Sequence, residues 1–367
     1  ASNFLAYAAT LIGRVTEWRE PAPLLRAGLY WPGMAEPDLD GLRARWSAGA
    51  PVASLVFYRA LIQAGDLAPI DAMIESLQNA GLNPLPVYLH SLKEPVSAAT
   101  VAQLFATVPP DVILNATGFA VSTPGERRRA TPFDTARCPV LQLVFAGLTE
   151  DAWRAAPTGL SARDIAMNIA LPEVDGRVLA RAVAFKSEAH YDSATQISVV
   201  SYRPVSDRVN FAAMLAAGWA RLARTKLADR RIAVVLANYP NRDGRLANGV
   251  GLDTPAGTVM LLRALDESGW YIDGAPGDGR ALIQLLQSGP TNAIDGNRTG
   301  GEVLSLDRYM AALDEVPSTA RDAMLARWGA PENDQFFRDG AFRLAVHVLG
   351  NCVVAIQPAR GYNIDPQ

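Results

Sequence analysis

Four apolar, β-branched runs of buried-strand length, the first three separated by helix-like segments, constrain this fold more than any other feature. PVASLVFY (51–58), PLPVYL (84–89), DVILNAT (111–117) and PVLQLVFA (139–146) each have the length and composition of a strand covered on both faces. Between the first two, Asp66 to Gly81 reads as a helix. Pro69 suits its first turn, Ile70, Met73, Ile74 and Leu77 form its apolar stripe, and Gly81 stops it. Ser97 is the expected cap of the next helix, which reaches Val108. Strand and helix in alternation predict a parallel, layered α/β domain of flavodoxin-like or Rossmann-like type.

The alternation returns further along. A helix is expected over Val209 to Arg224, striped by Phe211, Met214, Leu215 and Leu222, followed by the strand RRIAVVLANY (230–239). Thr254 is the expected N-cap of a helix with Pro255 at its first position and Gly269 as the stop. Helices are also expected near 278–287 and 305–328, and AFRLAVHVL (341–349) and NCVVAIQP (351–358) read as antiparallel strands about Gly350. LPEVDGRVLARAVAF (171–185) reads as a crossover loop entering a strand, and the polar, glycine-rich 288–304 as a mobile loop.

At 367 residues the chain exceeds the ~250–300 that one core usually serves. The expected division is a helical or connecting segment 1–50, a first α/β domain 51–170 and a second α/β domain 171–367, both layered with mainly parallel sheets. The chain stops at Gln367 just after a polar motif. That ending suits a piece of a longer polypeptide, and equally a short tail beyond a last strand.

Composition excludes several functions. A net charge of −3 creates no field favouring nucleic acid or an anionic membrane. No apolar run approaches the ~20 residues that cross a bilayer, and the N-terminus has no secretory pattern. Cys138 and Cys352 both lie in apolar runs and read as buried, reduced thiols, so the expected compartment is the cytoplasm. Lys93, Lys186 and Lys226 are the only lysines among 34 basic residues. An arginine-rich inventory suits a ligand bearing carboxylates, and a biased genome gives the same skew.

Common catalytic motifs are missing. Gly249, Gly251 and Gly257 stand too far beyond the strand for a dinucleotide turn, with Thr254 where a third glycine belongs. No lysine sits in a GxxxxGK[ST] pattern, so ATP hydrolysis by this chain is not expected. DGNRTG (295–300) resembles the start of a calcium loop, but Leu306 occupies the position of the bidentate glutamate.

Four segments remain as carriers of chemistry. LPEVDG (171–176) places Glu173 and Asp175 two apart, which in an extended chain sets both on one wall of a cleft. Paired, partly buried carboxylates suit a general base, and the same pattern makes a solvated turn. LANYPNRDGRLANGVGLDTPAG (236–257) offers Arg242 and Arg245 for anions, Asn241 and Asn248 for amides, and Asp243 and Asp253 as carboxylates. It ends at a helix N-terminus, so it reads as a binding loop or a long surface loop. NATGFAVS (115–122), with Asn115 and Phe119, and IQPARGYNIDP (356–366), with Arg360, Tyr362, Asn363 and Asp365, are either ligand contacts or strand-ending turns.

In that order, LPEVDG, LANYPNRDGRLANGVGLDTPAG and IQPARGYNIDP resemble the large, tetrapyrrole-binding subunit of aerobic-type cobaltochelatases. VFYRALIQAGDLAPIDAMIESLQNAGLNPLPVY (56–88), DVILNATGFA (111–120), GLSARDIAMNIALPEVDG (159–176) and FFRDGAFR (336–343) extend the resemblance from about Gly28 to the C-terminus. The related magnesium chelatase large subunit shares LPEVDG but lacks the NYPNRDGRLANGVGLDTP loop, and ends its last motif differently from Tyr362, Asn363, Ile364 and Asp365 here.

The resemblance implies an enzyme that inserts Co2+ into hydrogenobyrinic acid a,c-diamide in cobalamin biosynthesis. It also implies an AAA+ ATPase subunit and a companion subunit, which use ATP and Mg2+ away from this segment. Family subunits are several times longer, so the segment alone is expected to be inactive. Metal insertion needs the inner nitrogens to lose protons, and Glu173 is the first candidate base, with Asp175 beside it. Glu173, Asp175 or His347 are the candidates for carrying cobalt, although His347 lies mid-strand, where a packed core histidine is also expected. A magnesium-type subunit and a non-catalytic α/β module for an anionic small molecule are the alternatives.

Overall fold

Seven strands between Ala27 and Pro204 join one sheet in the order β1-β3-β2-β4-β5-β6-β7. They are β1 (Ala27–Leu29), β2 (Val52–Tyr58), β3 (Asn83–Leu89), β4 (Val112–Asn115), β5 (Val140–Ala146), β6 (Val178–Asp192) and β7 (Ile197–Pro204). The computed structural model describes residues 2–20, 23–193, 196–239, 243–293 and 298–359. The chain divides into two compact units, Ala1–Arg224 and Thr225–Gln367.

Strands β3, β2, β4, β5 and β6 run parallel, and β1 and β7 close the two edges antiparallel. All seven residues of β3 are buried, as expected of a strand sandwiched between helical layers. Its neighbour β1 comes from the first 50 residues, which therefore contribute to the sheet rather than merely leading into it. The sheet also continues past 170, because β6 pairs with β5. The first unit thus extends beyond the expected boundary at 170/171, to Arg224.

The last helix of this unit, Ser206–Arg224, turns a different face inward from the one its large side chains suggest. Val209, Ala212, Ala213, Ala216 and Ala220 are buried, whereas Phe211 and Met214 are 42% and 63% exposed. Small side chains let the helix approach the helix Ala68–Asn79, where Ser76 Oγ donates to Asn210 Oδ1 at 2.9 Å. Arg224 ties its end down with two hydrogen bonds to Asp111, at 2.8 and 2.9 Å.

The second unit is also α/β but less regular. Its strands are β8 (Ile232–Leu236), β9 (Glu302–Ser305), β10 (Phe337–Arg338), β11 (Ala341–Leu344), β12 (Val346–Leu349) and β13 (Cys352–Ile356). β13 pairs parallel with β8 and antiparallel with β12, the latter turning about Gly350 as expected. The sheet β10-β11-β9 is antiparallel, so β8 and β13 are the one parallel pair among this unit's described strands. Val235 is 58% exposed, so β8 is covered on one face only. The helices Thr254–Glu267 and Gly279–Ser288 pack Val259, Leu262, Leu282 and Leu286 against Leu236, Cys352 and Val354. Pro317 separates Leu306–Asp314 from Ser318–Trp328, making two helices where the pattern predicts one.

Both cysteines are free thiols. Burial, with Asp111 nearby, pushes the Cys138 thiol up to about 12, and burial raises Cys352 as well.

Candidate functional site

The strand order of the first unit reverses at one place. From β2 the chain moves to β3 on one side, and from β3 it crosses to β4 on the other. In open parallel sheets, ligands bind outside the carboxyl ends of the strands at such a reversal. Tyr58 ends β2 and Asn115 ends β4, so the residues that follow them border the crevice.

The loop after β4 is held from three directions. Asn115 Nδ2 donates to Thr117 O at 2.9 Å and to Gln142 Oε1 at 2.8 Å, while Thr117 Oγ1 donates to Asn115 Oδ1 at 2.9 Å. The side chain of Asn115 is buried and committed to this network, so it supports the loop rather than facing a ligand. Gly118 lies against the next helical segment, where an added Cβ would stand 2.8 Å from Asn168 Oδ1 and 3.1 Å from Met167 O. Phe119 then takes φ +61, a left-handed conformation costly for an aromatic residue, and its N–H donates to Met167 O at 2.8 Å.

LPEVDG supplies the third hold, in a conformation its residue pattern does not suggest. Residues 162–174 form a continuous helical stretch with a π-helical turn at Ala166–Ala170, whose mark is the bond from Leu171 N–H to Ala166 O. Pro172 has no N–H to continue the regular ladder, which accounts for irregularity here, and Gly176 at φ +79 ends the stretch. Glu173 and Asp175 therefore do not share a wall as they would in an extended chain. Glu173 is exposed on the last turn, and Asp175 is buried.

The Asp175 carboxylate accepts the N–H groups of Val121 at 2.7 Å and Ser122 at 3.0 Å, and pairs with Arg177 Nη2 at 2.9 Å. Burial opposes its charge, but these donors and Arg177 outweigh it and hold the carboxyl below its ordinary range. A carboxylate so engaged is a poor proton acceptor, and Asp175 holds the loop after β4 to the end of LPEVDG. Arg128 extends the clamp, donating to Asp175 O at 3.0 and 3.1 Å and bidentately to Asp134.

Two hollows flank the half-exposed Phe119 ring. One, of about 120 Å³, is lined by Tyr58, Lys93, Thr117 and the buried Arg177. The other, a cleft of about 530 Å³, has aromatic walls from Tyr58, Phe119, Phe145 and Tyr202 and cations from Arg163 and Lys186. Tyr58 OH donates to Gly118 O at 3.1 Å, and burial raises its pKa. Burial also raises that of Tyr202, reinforced by Asp164 and Asp66. Aromatic faces with a few cations suit a flat, largely apolar ligand carrying acidic groups.

The second unit holds the remaining expected residues. Asn241, Arg242, Arg360 and Tyr362 lie outside the described residues. Arg245 and Asn248 are exposed. Asp253, not Thr254, caps the helix Thr254–Glu267, accepting the Ala256 N–H at 3.0 Å. His347 pairs with Val354 in mid-strand and is 7% exposed, and its Nε2 has no hydrogen-bond partner among the described residues. Burial lowers its pKa, opposed by the Leu286 backbone and Glu302. Among the described residues, no three His, Cys, Asp or Glu side chains gather as a metal site.

The profile described as CobN/Magnesium Chelatase matches residues 1–367. The chain belongs to this family. An aerobic cobaltochelatase subunit CobN from Sinorhizobium sp. is 47% identical over 100% of this chain and 29% of its own length. The CobN protein of Pseudomonas aeruginosa is 44% identical over 98% of this chain and 29% of its own. The magnesium-chelatase relative from Rhodobacter capsulatus is 25% identical over 97% of this chain and 31% of its own. Among solved structures, the catalytic subunit of cobaltochelatase from Mycobacterium tuberculosis superposes with a TM-score of 0.74 at 28% identity, covering 98% of this chain and 29% of that one. The chain thus spans about 29% of the cobaltochelatase subunits it matches.

For a member of the CobN/magnesium chelatase family, the crevice adds residues that sequence motifs do not single out. Tyr58, Phe145, Lys186, Tyr202 and Arg177 belong to no motif spacing. A signal for two of them is available, since Tyr58 and Phe145 close expected strands whose carboxyl ends bind ligands in such sheets.

Proposed function

We propose that this chain is part of the tetrapyrrole-binding subunit of a cobaltochelatase, which inserts Co2+ into hydrogenobyrinic acid a,c-diamide in cobalamin biosynthesis. The observation that carries this reading is the margin of identity, 47% and 44% to CobN subunits against 25% to a magnesium-chelatase subunit over nearly the same residues.

The crevice of the first unit supplies chemistry that fits such a substrate. Tyr58, Phe119, Phe145 and Tyr202 offer faces to the macrocycle, and Arg163 and Lys186 meet its peripheral carboxylates. Glu173, exposed and paired with no cation among the described residues, is the base that takes protons from the inner nitrogens. Arg242, Arg245, Asn241 and Asn248 of the 236–257 loop, Asp253 at its end, and Arg360 and Tyr362 recognise peripheral carboxylates and amides. Cobalt reaches the ring by way of Glu173, with His347 as a further candidate carrier. ATP and Mg2+ act on the AAA+ partner and its companion subunit in the cytoplasm.

The test uses the full-length subunit with both partners, following cobalt insertion by absorbance. Insertion of Co2+ into the corrinoid, dependent on ATP and on all three subunits, is the expected result. Insertion of Mg2+ into protoporphyrin instead, or activity without the partners, overturns the reading.

A further inference from the structure

The peptide unit between Gly118 and Phe119 is gripped at both ends. Its carbonyl accepts the Tyr58 hydroxyl at 3.1 Å, and its N–H donates to Met167 O at 2.8 Å. The second grip is unusual, because Met167 lies inside the helical stretch 162–174, where carbonyls ordinarily accept from their own helix. An α-helical register would send the Leu171 N–H to Met167 O, but the π turn sends it to Ala166 O. In the π register the donor in line for Met167 O belongs to residue 172, and Pro172 has no N–H. Neither register supplies a donor, and the carbonyl of the half-buried Met167 needs one. The Phe119 N–H meets that need.

The approach is close enough to require Gly118, whose added Cβ would stand 3.1 Å from Met167 O and 2.8 Å from Asn168 Oδ1. The bond helps to hold Phe119 at φ +61, a conformation an aromatic residue otherwise avoids. The Phe119 ring borders both the hollow of about 120 Å³ and the cleft of about 530 Å³, so its position shapes the two together. At the start of the same helical stretch, Asp164 accepts the Gly147 N–H at 3.1 and 3.2 Å, which fastens the loop after β5 as well.

We propose that Pro172 is a positioning residue of the crevice: by withholding an N–H from Met167 O, it leaves that carbonyl to Phe119 and so sets the ring between the two hollows. Pro172 lines neither hollow and acts through Met167 and Phe119. Its part in macrocycle binding rests on the cobaltochelatase reading, whereas its hold on Phe119 does not.

The test follows amide hydrogen exchange residue by residue in the full-length subunit without ligand, comparing wild type with Pro172→Ala and Pro172→Val. Both variants restore the N–H, and valine keeps most of the buried volume. With its bond lost, the Phe119 amide should exchange about three- to tenfold faster, while the Val121 and Ser122 amides, held by Asp175, keep their rates. Gly118→Ala, which crowds Met167 O from the loop side, should reproduce the effect. An unchanged Phe119 rate in the Pro172 variants, or an equal rise at all three amides, overturns the proposal. Fluorescence titration then reads the crevice. Pro172→Val should weaken the binding of hydrogenobyrinic acid a,c-diamide in the wild-type background and have no further effect beside Phe119→Gly, because a residue acting through the ring is silent once the ring is gone. Equal weakening in both backgrounds overturns the positioning role. Faster Phe119 exchange in the variants, with no corrinoid bound even by wild type, keeps the hold on Phe119 and removes the cobaltochelatase reading.

Discussion

Asp175 and Arg177 form an ion pair at 2.9 Å with both side chains only 1% exposed, and it fastens the end of LPEVDG to the loop that carries Phe119. Removing one partner of a buried pair leaves the other charge without compensation, at a cost of about 3–5 kcal/mol. Asp175→Asn should therefore lower the urea-unfolding free energy on that scale. An Asp175→Leu/Arg177→Met double variant should recover much of the loss. Single and double variants losing less than about 1 kcal/mol, the range of exposed pairs, would show that the pair is not buried in solution.

Glu94 gives a prediction in pH. It caps the helix Pro95–Thr107, accepting the Ser97 hydroxyl and the N–H groups of Val96 and Ser97, near Arg26. The Ser97 hydroxyl contributes most, burial opposes, and the backbone donors and Arg26 add to bring its pKa to about 2 from 4.5. A depressed carboxyl pKa contributes stability above the unfolded value, and this is lost as pH falls through the folded one. The stability gap between wild type and Glu94→Gln should be full above pH 4.5 and close as pH falls to about 2. A gap that stays constant over this window would assign the effect to packing.

Much of the first unit is legible in the sequence because its strands are continuous apolar runs. Val52–Tyr58, Asn83–Leu89 and Val140–Ala146 fall within a residue or two of the expected bounds. LPEVDG is not legible in the same way, because Pro172 and Gly176 are as common in turns as at helix ends, and periodicity does not reveal a π turn. The inward face of Ser206–Arg224 escapes a reading that follows large apolar residues, because close helix approach selects the alanines. Tyr202 and Lys186 reach the crevice through strands that follow 170, a placement decided by strand pairing across the sheet.

Phe119 separates binding from stability. Its φ of +61 is strained for a side chain bearing Cβ and easy for glycine, with relief of about 1 kcal/mol expected. Its ring is 48% exposed, so little burial is lost on truncation. Phe119→Gly should leave the thermal midpoint unchanged or slightly raised while weakening macrocycle binding in a fluorescence titration. A clear loss of stability with unchanged affinity would assign Phe119 to packing alone.

The remaining prediction tests the proposed base. Glu173 is exposed on the last turn of its helical stretch, so Glu173→Gln should alter stability by no more than ~0.5 kcal/mol. General base catalysis contributes about 10²–10⁴-fold, and the reconstituted enzyme should lose rate on that scale while macrocycle affinity holds. A metal-carrying role gives a different signature, because a weakened metal site is still filled at high concentration and raising Co2+ then restores the rate. The two roles therefore separate in one experiment, turnover measured against metal concentration at saturating macrocycle. Near-normal turnover by the folded variant would remove both and leave LPEVDG as the clamp that Asp175 and Arg177 make of it.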